Sequence, residues 1–267
     1  MTRRRLDSEL VRRGLARSRQ DACDLVAAGR VLVGGTVAEK VASQVADSAA
    51  ITVADAEQGR SYASRGAGKL LGALAAFTPM GLEIADRRCL DAGASTGGFT
   101  DVLLTHGARQ VVCVDVGYGQ LVWRLQSDPR VLVRDRTNVR DLTIEVTDGP
   151  VQVVVADLSF ISLRLVLPAL VRVADPDADF VLMVKPQFEV GKERLGSGGV
   201  VRNPEHRADA VVAVARLAAE LGWACAGVCT SPLPGPSGNV EFFLWLNRAP
   251  RVGCPEAQIR AIVEAAP

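Results

Sequence analysis

Lysine is nearly missing from this chain. Of its 31 basic residues only Lys40, Lys69, Lys185 and Lys192 are lysines, and the rest are arginines. Arginine keeps its proton under ordinary conditions, whereas lysine can lose it when its surroundings lower its pKa, so each lysine invites a chemical reading. The two histidines, His106 and His206, stand too far in sequence from the six cysteines to form a ligand pattern, and no Cys-x-x-Cys pair occurs. The expectation is therefore no metal. Cys89 and Cys113 sit in apolar, strand-like runs, where buried inert thiols are expected. The longest uncharged stretch, Leu221 to Val240, is broken by Pro232, Pro234, Pro236 and four glycines, which disqualifies it as a membrane helix. The opening Met1-Thr2-Arg3-Arg4-Arg5 runs into Leu6-Asp7-Ser8-Glu9 with no apolar segment, so no secretory signal is expected and the setting reads as cytoplasmic and reducing. A formal net charge of +1 leaves any nucleic-acid footprint to local clustering.

What is present suffices for two unequal domains, since 267 residues at 48% hydrophobic can bury one full α/β core and leave a small module over. The module occupies residues 1–58. Leu6-Asp7-Ser8-Glu9 reads as a helix start with an acidic first turn, and a second helix from Arg19 to Ala28 is stopped by Gly29. Val31 to Val37 reads as a hairpin around Gly34-Gly35. Periodicity is lost between Val53 and Ser64, and residues 59–64 are assigned as a linker. From 65 to 267, strand-length apolar runs at Cys89-Leu90, Val111–Val116, Val131–Val133, Val151–Leu158, Phe180–Val184 and Val240–Leu246 alternate with helical patterns. Such alternation predicts a doubly wound, mostly parallel sheet with helices on both faces. Asn203-Pro204-Glu205 is a helix start, and Gly222 is placed to end that helix.

Asp91-Ala92-Gly93-Ala94-Ser95-Thr96-Gly97-Gly98-Phe99 places a glycine-rich turn between a strand and a helix, the corner at which α/β sheets bind nucleotides. A tight structural turn would need no ligand. A dinucleotide fingerprint would need glycine where Ser95 stands, because that glycine admits the pyrophosphate. Asp91 also disfavours a diphosphate and suits the cationic amino and sulfonium end of S-adenosylmethionine. Asp115, a little over 20 residues beyond Gly93, is placed to take both ribose hydroxyls. Val116 follows it, and Asn138, at the end of the third strand, is a candidate adenine contact.

Asp157 and Lys185 end the fourth and fifth strands, Glu241 begins the last, and Lys69 precedes the sheet. Two lysines and two carboxylates around a sulfonium suit deprotonation of a hydroxyl for in-line methyl transfer. Lys185 reads as the base, with Asp157 and Glu241 orienting it. A pair of structural salt bridges is the competing reading. At the N-terminus Arg3, Arg4, Arg5, Arg12, Arg13, Arg17, Arg19 and Arg30 outnumber Asp7, Glu9, Asp21 and Asp24, with no aromatics among the first 30 residues. Arginine pairs bidentately with phosphate, so recognition of folded RNA by shape and backbone is expected over single-strand stacking, a solvated basic face being the alternative. The candidate RNA contacts are Arg3, Arg5, Arg17, Arg19 and Lys40, with Arg65 and Arg136 extending the path toward the site.

Four segments resemble a known family. Asp91 to Phe99, Ser159-Phe160-Ile161-Ser162, Val184-Lys185-Pro186-Gln187-Phe188-Glu189 and Ser231 to Glu241 are similar to the TlyA family of ribosomal RNA 2′-O-methyltransferases, sometimes labelled haemolysin-like. Leu10 to Arg19 resembles an S4-type RNA-binding module. The resemblance implies an FtsJ-like, Rossmann-like class I methyltransferase domain using S-adenosyl-L-methionine, with the tetrad Lys69, Asp157, Lys185 and Glu241. It implies cytidine 2′-hydroxyls of one or both ribosomal RNAs, naked or in subunits, as targets. In actinobacterial members the modification is linked to sensitivity to capreomycin-type antibiotics. Oligomeric state is left open, with a monomer favoured. Two other classes compete: a membrane-active haemolysin, and a catalytically silent S4-type RNA-binding protein or an S4-bearing pseudouridine synthase, the last disfavoured by the α/β alternation.

Overall fold

The computed structural model describes residues 3–16, 18–27, 29–34, 36–38, 40–53 and 62–267, without the side chains of Arg3 and Lys192. The chain divides into two compact units, Met1–Tyr62 and Ala63–Pro267. The division falls within the stretch 59–64, of which 59–61 lie outside the described residues.

The small unit runs β1 (Arg3–Arg5), α1 (Leu6–Arg12), α2 (Arg19–Ala27), β2 (Val31–Val33), β3 (Thr36–Val37), β4 (Gln44–Ala46) and β5 (Ile51–Val53). β1 pairs with β4, and β2 lies between β3 and β5, all antiparallel. The helices follow the expected starts, and Ala28, the last residue expected in the second, lies outside the described residues. Leu6 and Leu10, one helical turn apart, bury together with Ala22, Val26, Val31, Val45 and Ile51. The core is small.

The large unit runs α3 (Gly66–Phe77), β6 (Arg88–Ala92), α4 (Gly98–Thr105), β7 (Gln110–Val114), α5 (Trp123–Gln126), β8 (Val131–Arg134), α6 (Ile144–Thr147), β9 (Val151–Ala156), α7 (Leu163–Val173), β10 (Ala174–Val184), α8 (Pro186–Glu189), α9 (Pro204–Glu220), β11 (Ala224–Thr230), β12 (Phe242–Asn247) and α10 (Glu256–Glu264). Its seven strands stand in the order β11-β12-β10-β9-β6-β7-β8. The pairings are parallel except those of β12 with β10 and β11. The alternation of β12 shows how both faces are covered. Phe242, Leu244 and Leu246 join the cluster that buries α7, α9 and α10, whereas Phe243 and Trp245 face Phe99 of α4 and Phe77 of α3. α7 contributes Leu163, Val166, Leu167, Leu170 and Val173, one apolar stripe at helical spacing, and each such side chain is worth about 1.5–3 kcal/mol when fully buried.

Two elements depart from expectation. β11 was not anticipated, because Ala224-Cys225-Ala226-Gly227 has little β-branched character; the strand is held at the sheet edge by β12 alone. β10 begins at Ala174, not Phe180, and its polar first residues pair irregularly with β9, the register shifting between Ala174 and Asp179. Asn203 caps α9 as expected, its Oδ1 accepting the N–H of Glu205, and Gly222 follows that helix with φ of +83°.

Candidate functional site

The chain winds β6, β7, β8 outward in one direction and returns to place β9 on the other side of β6. Such a reversal opens a crevice at the carboxyl ends of the two central strands. Gly93 follows β6 and Asp157 follows β9 at that crevice. A Cβ on Gly93 would stand 2.9 Å from the Asp157 carbonyl oxygen, and its φ of +87° favours glycine further. Two adjoining cavities, of about 480 and 310 Å³, share Gly93, Ser95, Asp157 and Ser159.

The first cavity is also lined by Asp115, Val116 and Asn138 from the loops after β7 and β8. Asp115 lies one residue beyond β7, and its two carboxylate oxygens accept the N–H groups of Ser95 at 2.9 Å and Gly117 at 2.7 Å. Those bonds fix the carboxylate and leave each oxygen a free lone pair toward a ligand. Asn138 spends its side-chain oxygen on the N–H of Arg140. Ala94, Thr96, Gly98 and Phe99 line the second cavity.

Two expected contacts are placed otherwise. Asp91 is not at the strand tip: it is the penultimate residue of β6, fully buried, and lines neither cavity. One of its oxygens accepts the Thr100 hydroxyl at 2.7 Å, while Oδ1 has no partner. Burial pushes its pKa up to about 7, against the opposing hydrogen bond from Thr100. Gly97 likewise lines neither cavity; its φ of +98° ahead of α4 favours glycine, and a Cβ there would also strike Leu125 and Leu121.

Lys69 and Lys185 meet the second cavity from opposite elements. Lys69, in the first turn of α3, is 5% exposed, with Nζ 2.5 Å from Glu241 Oε2 and 3.7 Å from Met183 Sδ. Lys185, directly after β10, is 7% exposed, with Nζ 2.6 Å from Asp157 Oδ1 and 3.0 Å from the Ser159 hydroxyl. The four residues thus resolve into two ion pairs, and Glu241 serves Lys69 where both carboxylates were expected to orient Lys185. Asp157 follows β9 and Glu241 precedes β12, each one residue outside its strand. Close packing holds α3 against the loop before β12. A Cβ on Gly72 would stand 2.6 Å from Pro232, and one on Gly68 3.1 Å from Leu233.

Sequence reasoning assigned no role to Ser159, Gln120, Leu158 or Ser64, all of which line the crevice. Ser159 belongs to the segment Ser159-Phe160-Ile161-Ser162 that carries the family resemblance, whereas the others depend on tertiary placement.

Of the candidate RNA contacts, Arg17 and the side chain of Arg3 lie outside the described residues. Lys40 is exposed. Arg19 donates to the Ser8 hydroxyl at 2.6 Å. Arg5 pairs with Asp7, Arg12 and Arg13 with Glu9, and Arg4 with Asp47, so carboxylates claim much of the local basic excess. Counting only the first 30 residues missed Asp47. Arg65 is exposed and lines the second cavity; Arg136, at φ of +52°, lays its guanidinium 4.3 Å over the ring of Tyr118. No group of three or more possible metal ligands occurs among the described residues.

The FtsJ-like methyltransferase family model matches residues 62–248, and the S4 domain model matches residues 4–51. The 16S/23S rRNA (cytidine-2′-O)-methyltransferase TlyA of Mycobacterium tuberculosis is 62% identical over 245 residues, 92% of this chain and 90% of its own. The 23S rRNA (cytidine-2′-O)-methyltransferase TlyA of Campylobacter jejuni is 34% identical over 185 residues, 69% of this chain and 70% of its own. A solved chain from Streptococcus thermophilus that carries the label hemolysin is 36% identical, with a TM-score of 0.74, covering 98% of this chain and 95% of its own.

Proposed function

Because the chain belongs to the FtsJ-like methyltransferase family and to its TlyA relatives, we propose that it transfers a methyl group from S-adenosylmethionine to cytidine 2′-hydroxyls of ribosomal RNA. The observation that carries this reading is the pairing of Lys185 with Asp157 and of Lys69 with Glu241 at the junction of two cavities. Residues 1–58 act as the S4-type RNA-binding domain, and 65–267 as the catalytic domain.

The crevice fits the cofactor. Gly93 leaves room where a Cβ would clash, the larger cavity has the volume of a nucleoside site, and Asp115 presents fixed carboxylate oxygens to ribose hydroxyls. Asp91 adds an unpaired buried oxygen beneath the turn, which a cation above it would favour in the charged form. Asn138 and Val116, which line the larger cavity, would hold the base, and Ala94, Ser95, Thr96, Gly98 and Phe99 line the cavity that the lysines share.

When bound, S-adenosylmethionine supplies an electrophilic methyl carbon. In its unprotonated form Lys185 Nζ takes the proton of the 2′-hydroxyl as the ribose oxygen becomes nucleophilic, and Asp157 and Ser159 hold the ammonium that results. Lys69 offsets the charge of Glu241 and brings a second cation to the reacting oxygen. Arg65 and Arg136 guide the RNA backbone toward the crevice, and Arg3, Arg5, Arg17, Arg19 and Lys40 contribute phosphate contacts in the small domain. The setting is cytoplasmic, with ribosomal RNA or a ribosomal subunit as partner. Among the described residues no helix is long and apolar enough to cross a membrane, and the haemolysin reading rests on the label that relatives such as the Streptococcus thermophilus chain carry.

The test is transfer of labelled methyl groups to ribosomal RNA and isolated subunits, with the 2′-O-methyl sites mapped. Lys185→Ala is expected to lower transfer by about 10²–10⁴-fold while cofactor binding persists. Undiminished transfer by that variant would remove Lys185 from the reaction.

A further inference from the structure

Glu189 is a buried carboxylate that the proposed reaction does not use. It closes the single turn α8, which begins directly after Lys185 with Pro186 at its first position. Its side chain reaches across to the start of α7. Oε2 accepts the Ser162 hydroxyl at 2.5 Å, Oε1 accepts the Leu163 N–H at 2.6 Å, and Arg164 adds its guanidinium 3.4 Å from Oε2. Arg164 also donates to the backbone carbonyl of Glu189 at 3.0 Å. A carboxylate buried to 7% exposure is costly unless so satisfied, and at a helix N-terminus it also meets a favourable dipole.

The loop that this contact closes is the one that addresses Lys185. Between β9 and α7 it carries Asp157 and Ser159, the two partners of the Lys185 amine. At its crest Phe160 is 91% exposed with φ of +65°, a left-handed conformation that a bulky residue keeps only when its surroundings impose it. Besides the Lys185 bond to Ser159, two contacts bear on it: the Glu189 bonds to Ser162 and Leu163, and the Phe188 ring, 5.4 Å from that of Phe160. Both come from α8. One rigid turn therefore carries the lysine at one end and the clamp on its partners at the other.

We infer that Glu189 is a positioning residue for methyl transfer, setting the loop from Asp157 to Ser162 so that Asp157 and Ser159 hold Lys185 in line. The inference rests on the proposed function. An amide at this position keeps one acceptor but turns an N–H₂ group toward one of the donors, so Glu189→Gln breaks the clamp with little change in volume.

The experiment compares the full-length wild type with Glu189→Gln, Ser162→Ala and the double variant in methyl transfer to ribosomal RNA. Glu189→Gln is expected to lower kcat by roughly 10–100-fold, the scale of a misplaced reacting group, and to displace the pH profile of kcat. KM for RNA should stay within about threefold, since the clamp lies outside the proposed RNA contacts. Ser162→Ala also removes the cap that Ser162 gives the Arg164 N–H, but because the two changes share the Ser162–Glu189 contact the double variant should lose less than the product of the two single losses. A fall in activity with an unchanged pH profile and additive losses would reduce Glu189 to a stabilising role and overturn the inference. Amide hydrogen exchange gives an arm independent of activity: residues 158–163 should exchange faster in Glu189→Gln while β6 is unchanged. Unchanged exchange at 158–163 overturns the clamp even if the wild type methylates RNA. A wild type that transfers no methyl group defeats the proposed function and leaves the clamp to be judged by exchange.

Discussion

The small unit and the crevice of the large unit treat charge in opposite ways. In the first, Asp7 and Glu9 are surrounded by arginines, Arg5 on one and Arg12 and Arg13 on the other, whose hydrogen bonds hold both carboxyls down at about 2. Beneath the glycine turn, Asp91 has the neutral hydroxyl and backbone N–H of Thr100 for partners and no arginine, and burial raises its pKa to about 7. An arginine partner favours the charged form and an apolar enclosure the neutral one. Residue type alone does not tell them apart.

The largest effect that tests this contrast is loss of a buried cation. Lys185→Ala should abolish nearly all methyl transfer and spare cofactor binding, whereas no single arginine in the small unit should do so. Glu189→Gln follows, with its smaller loss of kcat and displaced pH profile.

Acid then separates the two regions. Asp7 and Glu9 lie lower in the folded chain than their ordinary values of 3.8 and 4.5, so they stabilise the small unit above about pH 4.5. That contribution is lost as pH falls toward 2. Asp91 works the other way. Between its ordinary 3.8 and about 7 the folded chain holds a proton that the unfolded chain has released, so its contribution declines as pH rises through that range and is flat above it. All three tryptophans, Trp123, Trp223 and Trp245, belong to the large unit. Tryptophan fluorescence therefore reports that unit alone, while far-ultraviolet dichroism reports both. Below pH 4 the dichroism should begin to fall before the fluorescence changes, and Glu9→Gln should remove much of that early loss. Asp91→Asn should flatten the difference in thermal stability between pH 4 and 7, and should weaken cofactor binding most at pH 8, where the wild type carries the carboxylate. A parallel pH dependence in wild type and Asp91→Asn would show that Asp91 stays ionised.

The smallest expected effect is at Arg19, which donates to the Ser8 hydroxyl and lies near Asp7. Arg19→Ala should weaken RNA binding and reduce the slope of log affinity against log salt by roughly 1, with cofactor binding unchanged. An unchanged slope would remove Arg19 from the phosphate contacts.

Much of the fold was legible because the signals are local. Alternating apolar runs specified the strands of a parallel sheet, and Asn203-Pro204 and Gly222 marked both ends of α9. β11 was not legible: alanine, cysteine and glycine carry little strand preference, and only the exposed edge of β12 makes a strand of them. The site divides in the same manner. Gly93, Asp115, Asp157 and Lys185 were readable as residues at strand ends, where side chains project over the crevice. Gly97 is expected among the cofactor contacts; its left-handed φ of +98° at the start of α4 is a local reason for glycine, whereas its packing against Leu121 and Leu125, more than 20 residues onward, is one that no local pattern reveals.

By itself the sequence determined the alternation of elements, the glycine turn with serine in place of a dinucleotide glycine, and the scarcity that made two lysines conspicuous. These depend on residues adjacent in the chain. Tertiary structure alone decided which carboxylate each lysine meets, that Asp91 lies sealed under the turn, and that Glu189 reaches the loop opposite Lys185. Those outcomes depend on burial and on distances between segments far apart in sequence, and a carboxylate's charge state follows from its partner and its solvent exposure.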